Sequence, residues 1–227
     1  MSGFDAPSNG PGNGPNVAPS EPSLGRVARR RRKNLEALIQ AGRQVMGEKG
    51  IDAATMLEIA ERADIGAGTV YSYFKSKDEL AIAVLESLMT DLAHRIEKVT
   101  NTFVDPAQVY AFGIRTVIDT CIGDLRWRQL LHRSEVMAGA MFRQMGPFAT
   151  RDLRNATQAG RFRIDDAELV WRMANHAIVG VALAITSGEM PTSQVEDCVV
   201  RILCMNGISL DEARDLATRP RPALPDS

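Results

Sequence analysis

Cysteine and histidine, the residues that most often build catalytic and metal sites, are scarce in this 227-residue chain. The 3 cysteines, Cys121, Cys198 and Cys204, are odd in number and lack metal-ligand spacing. They read as buried thiols of a reducing compartment, not as a disulfide framework. Cys198 and Cys204 are poorly placed for one helical face, and nothing favours a redox role. The 3 histidines, His94, His132 and His176, form no HExxH pair, and no Walker or dinucleotide motif occurs. His132 with Glu135 comes nearest to a constellation, at a spacing common by chance. No catalytic residue, metal or cofactor is therefore expected, and an all-helical enzyme is the remotest alternative. The opening MSGFDAPSNG lacks a basic n-region and an apolar h-region, so it does not read as a signal peptide. Polar residues interrupt the longest apolar stretches, which fall short of a membrane span. No membrane partner is expected, and the expected location is cytoplasmic. Strand alternation and internal repeats are missing as well, which leaves an all-α chain.

An excess of one charge is also lacking. The formal net charge is -1, which by itself does not suggest nucleic acid. The balance is uneven, however: from Arg26 to Lys33, RVARRRRK, six of eight residues are basic. Before it, residues 1–25 are rich in Gly, Pro, Asn and Ser and read as a disordered tail. After it, apolar residues make up 44% of the chain, enough for a sizeable core and more than one domain.

A first helix is expected from about Arg31 to Lys49, with Leu35, Leu38, Ile39, Val45 and Met46 on one face and Gly50 as its stop. Thr55 stands three residues before Glu58, a capping box opening a second helix to Ala63. Asp64-Ile65-Gly66 breaks the pattern, and a short run of small and aromatic residues, Ala67 to Tyr73, follows. Two short helices and a tight turn read as a helix-turn-helix, with the second helix as the reader. Ser76 and Glu79 open a fourth helix that runs to around Val99. Further starts are expected at Asp105-Pro106, at Asp124, near Pro147, at Asp166, at Ser193 with Glu196, and at Ser209. The helix from Asp124 is expected to run on through Val136 and Met137. Residues 219–227 are expected to be loose.

In the reader region, Gly68 and Thr69 are small enough to bring the backbone near a duplex. Tyr71 and Tyr73 carry hydroxyls on rigid arms, though half-buried packing is the plain alternative. Val70 and Phe74 should pack inward. Lys77 sits in the first turn of a helix, a poor place for a cation unless a phosphate is near. The basic run, Arg29, Arg30, Arg31 and Arg32 above all, would otherwise be a solvated face; beside a helix-turn-helix it is placed as a DNA-binding arm.

Ile59-Ala60, Ala63, Ile65, Gly68-Thr69, Tyr71, Phe74, Lys77 and Leu80 resemble the N-terminal domain of the TetR family of bacterial transcriptional regulators. Asp64 departs from the glycine usual there, and Gly66-Ala67 from a Ser or Thr cap. The resemblance implies a three-helix DNA-binding domain (26–80) and a larger helical effector-binding and dimerisation domain (81–218). It implies that Thr55 caps its helix and touches phosphate, that Gly68 and Thr69 lead the recognition helix, that Tyr71 and Tyr73 lie against the DNA backbone, and that Lys77 holds a phosphate. The expected function is a repressor released from a palindromic operator by a small, mostly hydrophobic ligand. An effector-independent regulator or an activator is the alternative.

Two further surfaces are expected. The last long apolar helices exceed the needs of one small core, so Val179, Leu183, Val199, Ile202 and Met205 are placed on a homodimer face. Tyr110, Phe112, Trp127, His132, Met137, Met141, Phe148, Trp171, Met173, Asn175 and His176 form an unusual mixture. Each reads singly as irregular core filler. As a set they suit a mostly apolar cavity with a few polar anchors. Asn175 and His176 lie mid-helix in an apolar run, where an unpaired polar group is costly.

Overall fold

The structure, a computed structural model, describes residues 25–225. The expected N-terminal tail therefore lies outside the described residues, Gly25 excepted. Among the described residues there are ten α-helices and no strand. They are α1 (Arg26–Ala53), α2 (Met56–Arg62), α3 (Ala67–Tyr73), α4 (Lys77–Thr100), α5 (Pro106–Gly123), α6 (Leu125–Leu131), α7 (Ser134–Gln158), α8 (Ala167–Thr186), α9 (Val195–Cys204) and α10 (Leu210–Thr218).

Most starts follow local chemistry. A helix leaves its first amides without partners, and a short polar side chain just before it can accept from one. Thr55 accepts from Glu58 N and Ser76 from Glu79 N. Asp105, Asp124, Asp166 and Ser209 do the same for α5, α6, α8 and α10. Between α2 and α3, Asp64 takes a positive φ of 54°, which Asp tolerates through its short polar side chain.

Four expectations need correction. The basic run is the start of α1 itself, which begins at Arg26. Asp124 opens only α6; His132 and Arg133 separate it from α7. Ser193 caps nothing: a 3-10 turn, Thr192–Gln194, leads into α9, which has no side-chain cap. Pro147 lies inside α7 rather than at a start. A proline there costs about 3 kcal/mol against alanine, because it removes an amide and crowds the preceding turn. Gly146 before it has no Cβ to meet the ring. Extensive packing of α7 along α8 outweighs the local preference.

α1, α2 and α3 form a small head. α4 starts there and packs on α1, α5 and α7. One hydrophobic cluster runs from Leu38 in the head to Ala217 in α10. α8 is long and apolar enough to match a membrane span by length and composition, contrary to the sequence reading. Its Trp171, Ala174, Ile178 and Ala182 nevertheless lie in that core. Residues 219–225 carry no helix yet are tied down. Arg219 reaches Asp105 at 2.9 Å and Asp215 at 2.7 Å. Arg221 pairs with Asp119, and Arg95 Nε donates to the Pro225 carbonyl at 2.7 Å.

Candidate DNA interface and effector cavity

The head presents one exposed edge. Ala67, Gly68, Thr69, Tyr71 and Ser72 of α3 are exposed, while Val70 and Phe74 are buried beneath them. Arg29, Arg30, Arg31 and Arg32 are exposed on the first turns of α1. The Arg31 guanidinium carbon lies 5.9 Å from the centre of the Tyr73 ring, so the basic run and the reader helix share one edge. Thr55 is exposed, but Glu58 engages its hydroxyl on both sides, donating its amide and accepting at 2.8 Å. Lys49 and Thr55 together hold the Glu58 carboxyl down at about 2. Negative charge therefore stands beside the start of α2. Lys77 Nζ donates to the Asp52 carbonyl at 2.7 Å. That bond ties the start of α4 to the end of α1.

In the larger helical part, a cavity of about 40 Å³ lies between α4, α5, α7 and α8. Its walls are mostly apolar: Ala93, Ile96, Ile114, Val117 and Met145 among them. Three polar groups also line it. The Tyr110 hydroxyl and the Trp171 indole N–H are buried without a hydrogen-bond partner. Asp152 is the third; burial pushes its carboxyl up, against the pull of Arg151 at 3.0 Å. Burial also pushes the Tyr110 hydroxyl up, so it stays protonated. The cavity thus offers two donors and one carboxylate in an apolar slot. It has room for water.

Of the residues expected at such a site, Tyr110, Phe148 and Trp171 line it. Trp127, Met137 and Met141 are buried in the core and do not. His132 and His176 are exposed, a correction to the sequence reading. His176 Nδ1 meets the Arg172 carbonyl of its own helix at 2.7 Å, and His132 ends α6. Asn175 is fully buried with both amide atoms unpartnered, one turn beyond Trp171. Sequence reasoning missed Asp152, which is one helical turn from Phe148 and next to Arg151.

The residues expected on the dimer face differ in exposure. Val179, Val199 and Ile202 are buried within the single chain, and Leu183 and Met205 are half-buried. Met173, Ala177, Gly180, Val181 and Ala184 form the outer stripe of α8. Beside it a groove of about 300 Å³ is lined by Ala177, Val181, Asp197, Cys198, Arg201 and the expected Ile202.

Comparison with known proteins decides the family. Residues 38–84 match the model described as bacterial regulatory proteins, tetR family. Residues 105–219, just over half the chain, match a tetracyclin repressor-like C-terminal domain. The chain belongs to the TetR family. As a TetR-family protein it is a DNA-binding transcriptional regulator. Among the described residues no cluster of three or more potential metal ligands occurs. The protein RolR is similar across its whole length. Its ligand-free structure is 30% identical with a TM-score of 0.74, covering 84% of this chain and 100% of that one. Its complex with resorcinol is 29% identical with a TM-score of 0.78, covering 87% and 100%. Two curated regulators of Mycolicibacterium smegmatis match over shorter stretches. The repressor KstR is 38% identical over 29% of this chain and 31% of its own length. The activator FasR is 29% identical over 43% and 45%. The chain thus spans less than half of these curated relatives. The TetR C-terminal match contains the α5, α7 and α8 walls of the cavity together with the outer stripe of α8.

Proposed function

We propose that this regulator is a homodimeric repressor, released from a palindromic operator by a small hydroxylated aromatic compound held between α4, α5, α7 and α8. The carrying observation is the polar set in the cavity. Tyr110 and Trp171 offer buried donors without partners, and Asp152 offers an acceptor for a hydroxyl proton. Buried polar groups left unpaired are costly, and a ligand that pairs them recovers that cost. Similarity to RolR, crystallised with its ligand resorcinol, supports the same chemical class. On this reading Arg29 to Arg32, Thr55, Gly68, Thr69, Tyr71, Tyr73 and Lys77 supply the DNA contacts. α4 carries the signal, because Ala93 and Ile96 line the cavity while its first turn lies in the head. An effector changes DNA affinity by its differential affinity for two states.

Resorcinol is the first probe. It should quench tryptophan fluorescence and lower the anisotropy of a labelled upstream duplex bound by the protein. Asp152→Asn should weaken resorcinol binding by roughly 10-fold to 100-fold, the size of a lost charged hydrogen bond. Quenching without duplex release would overturn repression by release. Equal resorcinol affinity in Asp152→Asn would remove the carboxylate from the site.

A further inference from the structure

We infer that the effector reaches the cavity through α7, whose short turn after the Gly146-Pro147 pair opens outward. This rests on the cavity proposed above as the effector site. Seven of its lining residues are buried. The four that reach solvent are Gly113 of α5 and Phe148, Ala149 and Asp152 of α7. The mouth therefore lies between α5 and this stretch of α7. A cavity of about 40 Å³ has room for water but not for an aromatic ring, so a wall must move for a ring to enter.

The wall has a weak point where the mouth begins. Pro147 has no amide, so the Arg143 carbonyl loses its helical donor. Gly146 beside it adds backbone freedom. The Thr150 hydroxyl donates to the Gly146 carbonyl at 2.8 Å, a back-bond of the kind that bends helices. The pair also divides the wall: Met145 lies before it, and Phe148, Ala149 and Asp152 lie after it. Leu153 and Ala156 remain in the core, which limits the moving part to residues 147–152.

What holds this turn shut is at the surface. Arg151 pairs with Glu97 of α4. Phe148 meets His94 of α4 edge-on, with ring centres 5.2 Å apart. The Arg151 guanidinium carbon lies 5.6 Å from the centre of the Phe148 ring. Exposed ion pairs are weak, so this latch holds the turn without locking it. The same latch joins the mouth to α4, so opening and signalling share one seam.

Two measurements separate the route from the site. Hydrogen exchange of the ligand-free protein should show amides 148–152 slowed several-fold by Pro147→Ala and hastened by Glu97→Gln. Stopped-flow quenching by resorcinol should show Pro147→Ala slowing association and dissociation together, with the Kd moved less than about threefold. Glu97→Gln should hasten both. Unchanged exchange at 148–152 in Pro147→Ala would overturn the route, and so would unchanged association. If resorcinol fails to bind the wild-type protein, the proposed ligand class falls, while the exchange result still decides the hinge.

Discussion

At the scale of single residues, the placement of Asp152 at the cavity costs stability. Burial raises its carboxyl more than Arg151 lowers it. The folded chain therefore binds this proton more tightly than the unfolded chain. The sign follows: stability is full below the unfolded value and falls as pH rises through the raised folded value. Asp152→Asn should remove that loss, so its Tm at pH 7 should exceed the wild-type Tm. The difference should vanish in acid, below the ordinary carboxylate value of 3.8. Thermal scans at pH 7 and pH 3 check this; a lower Tm for the variant at pH 7 would contradict it. Aromatic residues drew attention to Tyr110, Phe148 and Trp171 in the sequence because large rings on several helices must meet somewhere. Asp152 was not legible, since an Arg-Asp pair on a helix reads as solvated surface. His176 misled for the opposite reason. A polar residue in an apolar run reads as buried, yet it lies on an outward face.

At the scale of elements, the junction of α1 and α6 depends on one glycine. Gly50 has φ +83° and ψ 168°, a region open essentially to glycine alone. The next amide, Ile51 N, donates to Gln129 Oε1 of α6. A Cβ on Gly50 would stand 2.6 Å from Gln129 Nε2. Gly50→Ala therefore meets backbone strain and a collision at the contact that joins head and body. It should lower the unfolding free energy by roughly 1–3 kcal/mol, read as a lower urea midpoint. An unchanged midpoint would show that the junction rearranges freely. Helix starts were legible wherever a cap was local, as at Thr55, Ser76 and Asp105. The break at His132-Arg133 and the continuity across Pro147 were not. The continuity across Pro147 rests on packing of α7 against α8, which no stretch of α7 encodes alone.

At the scale of the whole molecule, the outer stripe of α8 is one apolar face that the single chain leaves partly unpacked. Met173 is 52% exposed and Leu169 54%, while Ala177, Gly180, Val181 and Ala184 present little bulk. Small residues allow a second helix to approach closely, and a two-fold axis pairs each patch with its own copy. Asp197 and Arg201, one turn apart on α9 beside this stripe, carry opposite charges that such an axis can bring together. A Cβ built on Gly180 meets nothing within 4 Å, so a larger residue fits the single chain. Gly180→Arg should fold normally and yet block a partner. In sedimentation the wild-type protein should run at twice the 24.8 kDa chain mass, and the variant at the chain mass itself. One head alone contacts about half the phosphates, so the salt slope of DNA binding should fall to about half as well. A Gly180→Arg protein that still sediments as a dimer would move the interface off this face of α8. A wild-type monomer with the full salt slope would remove the dimer altogether.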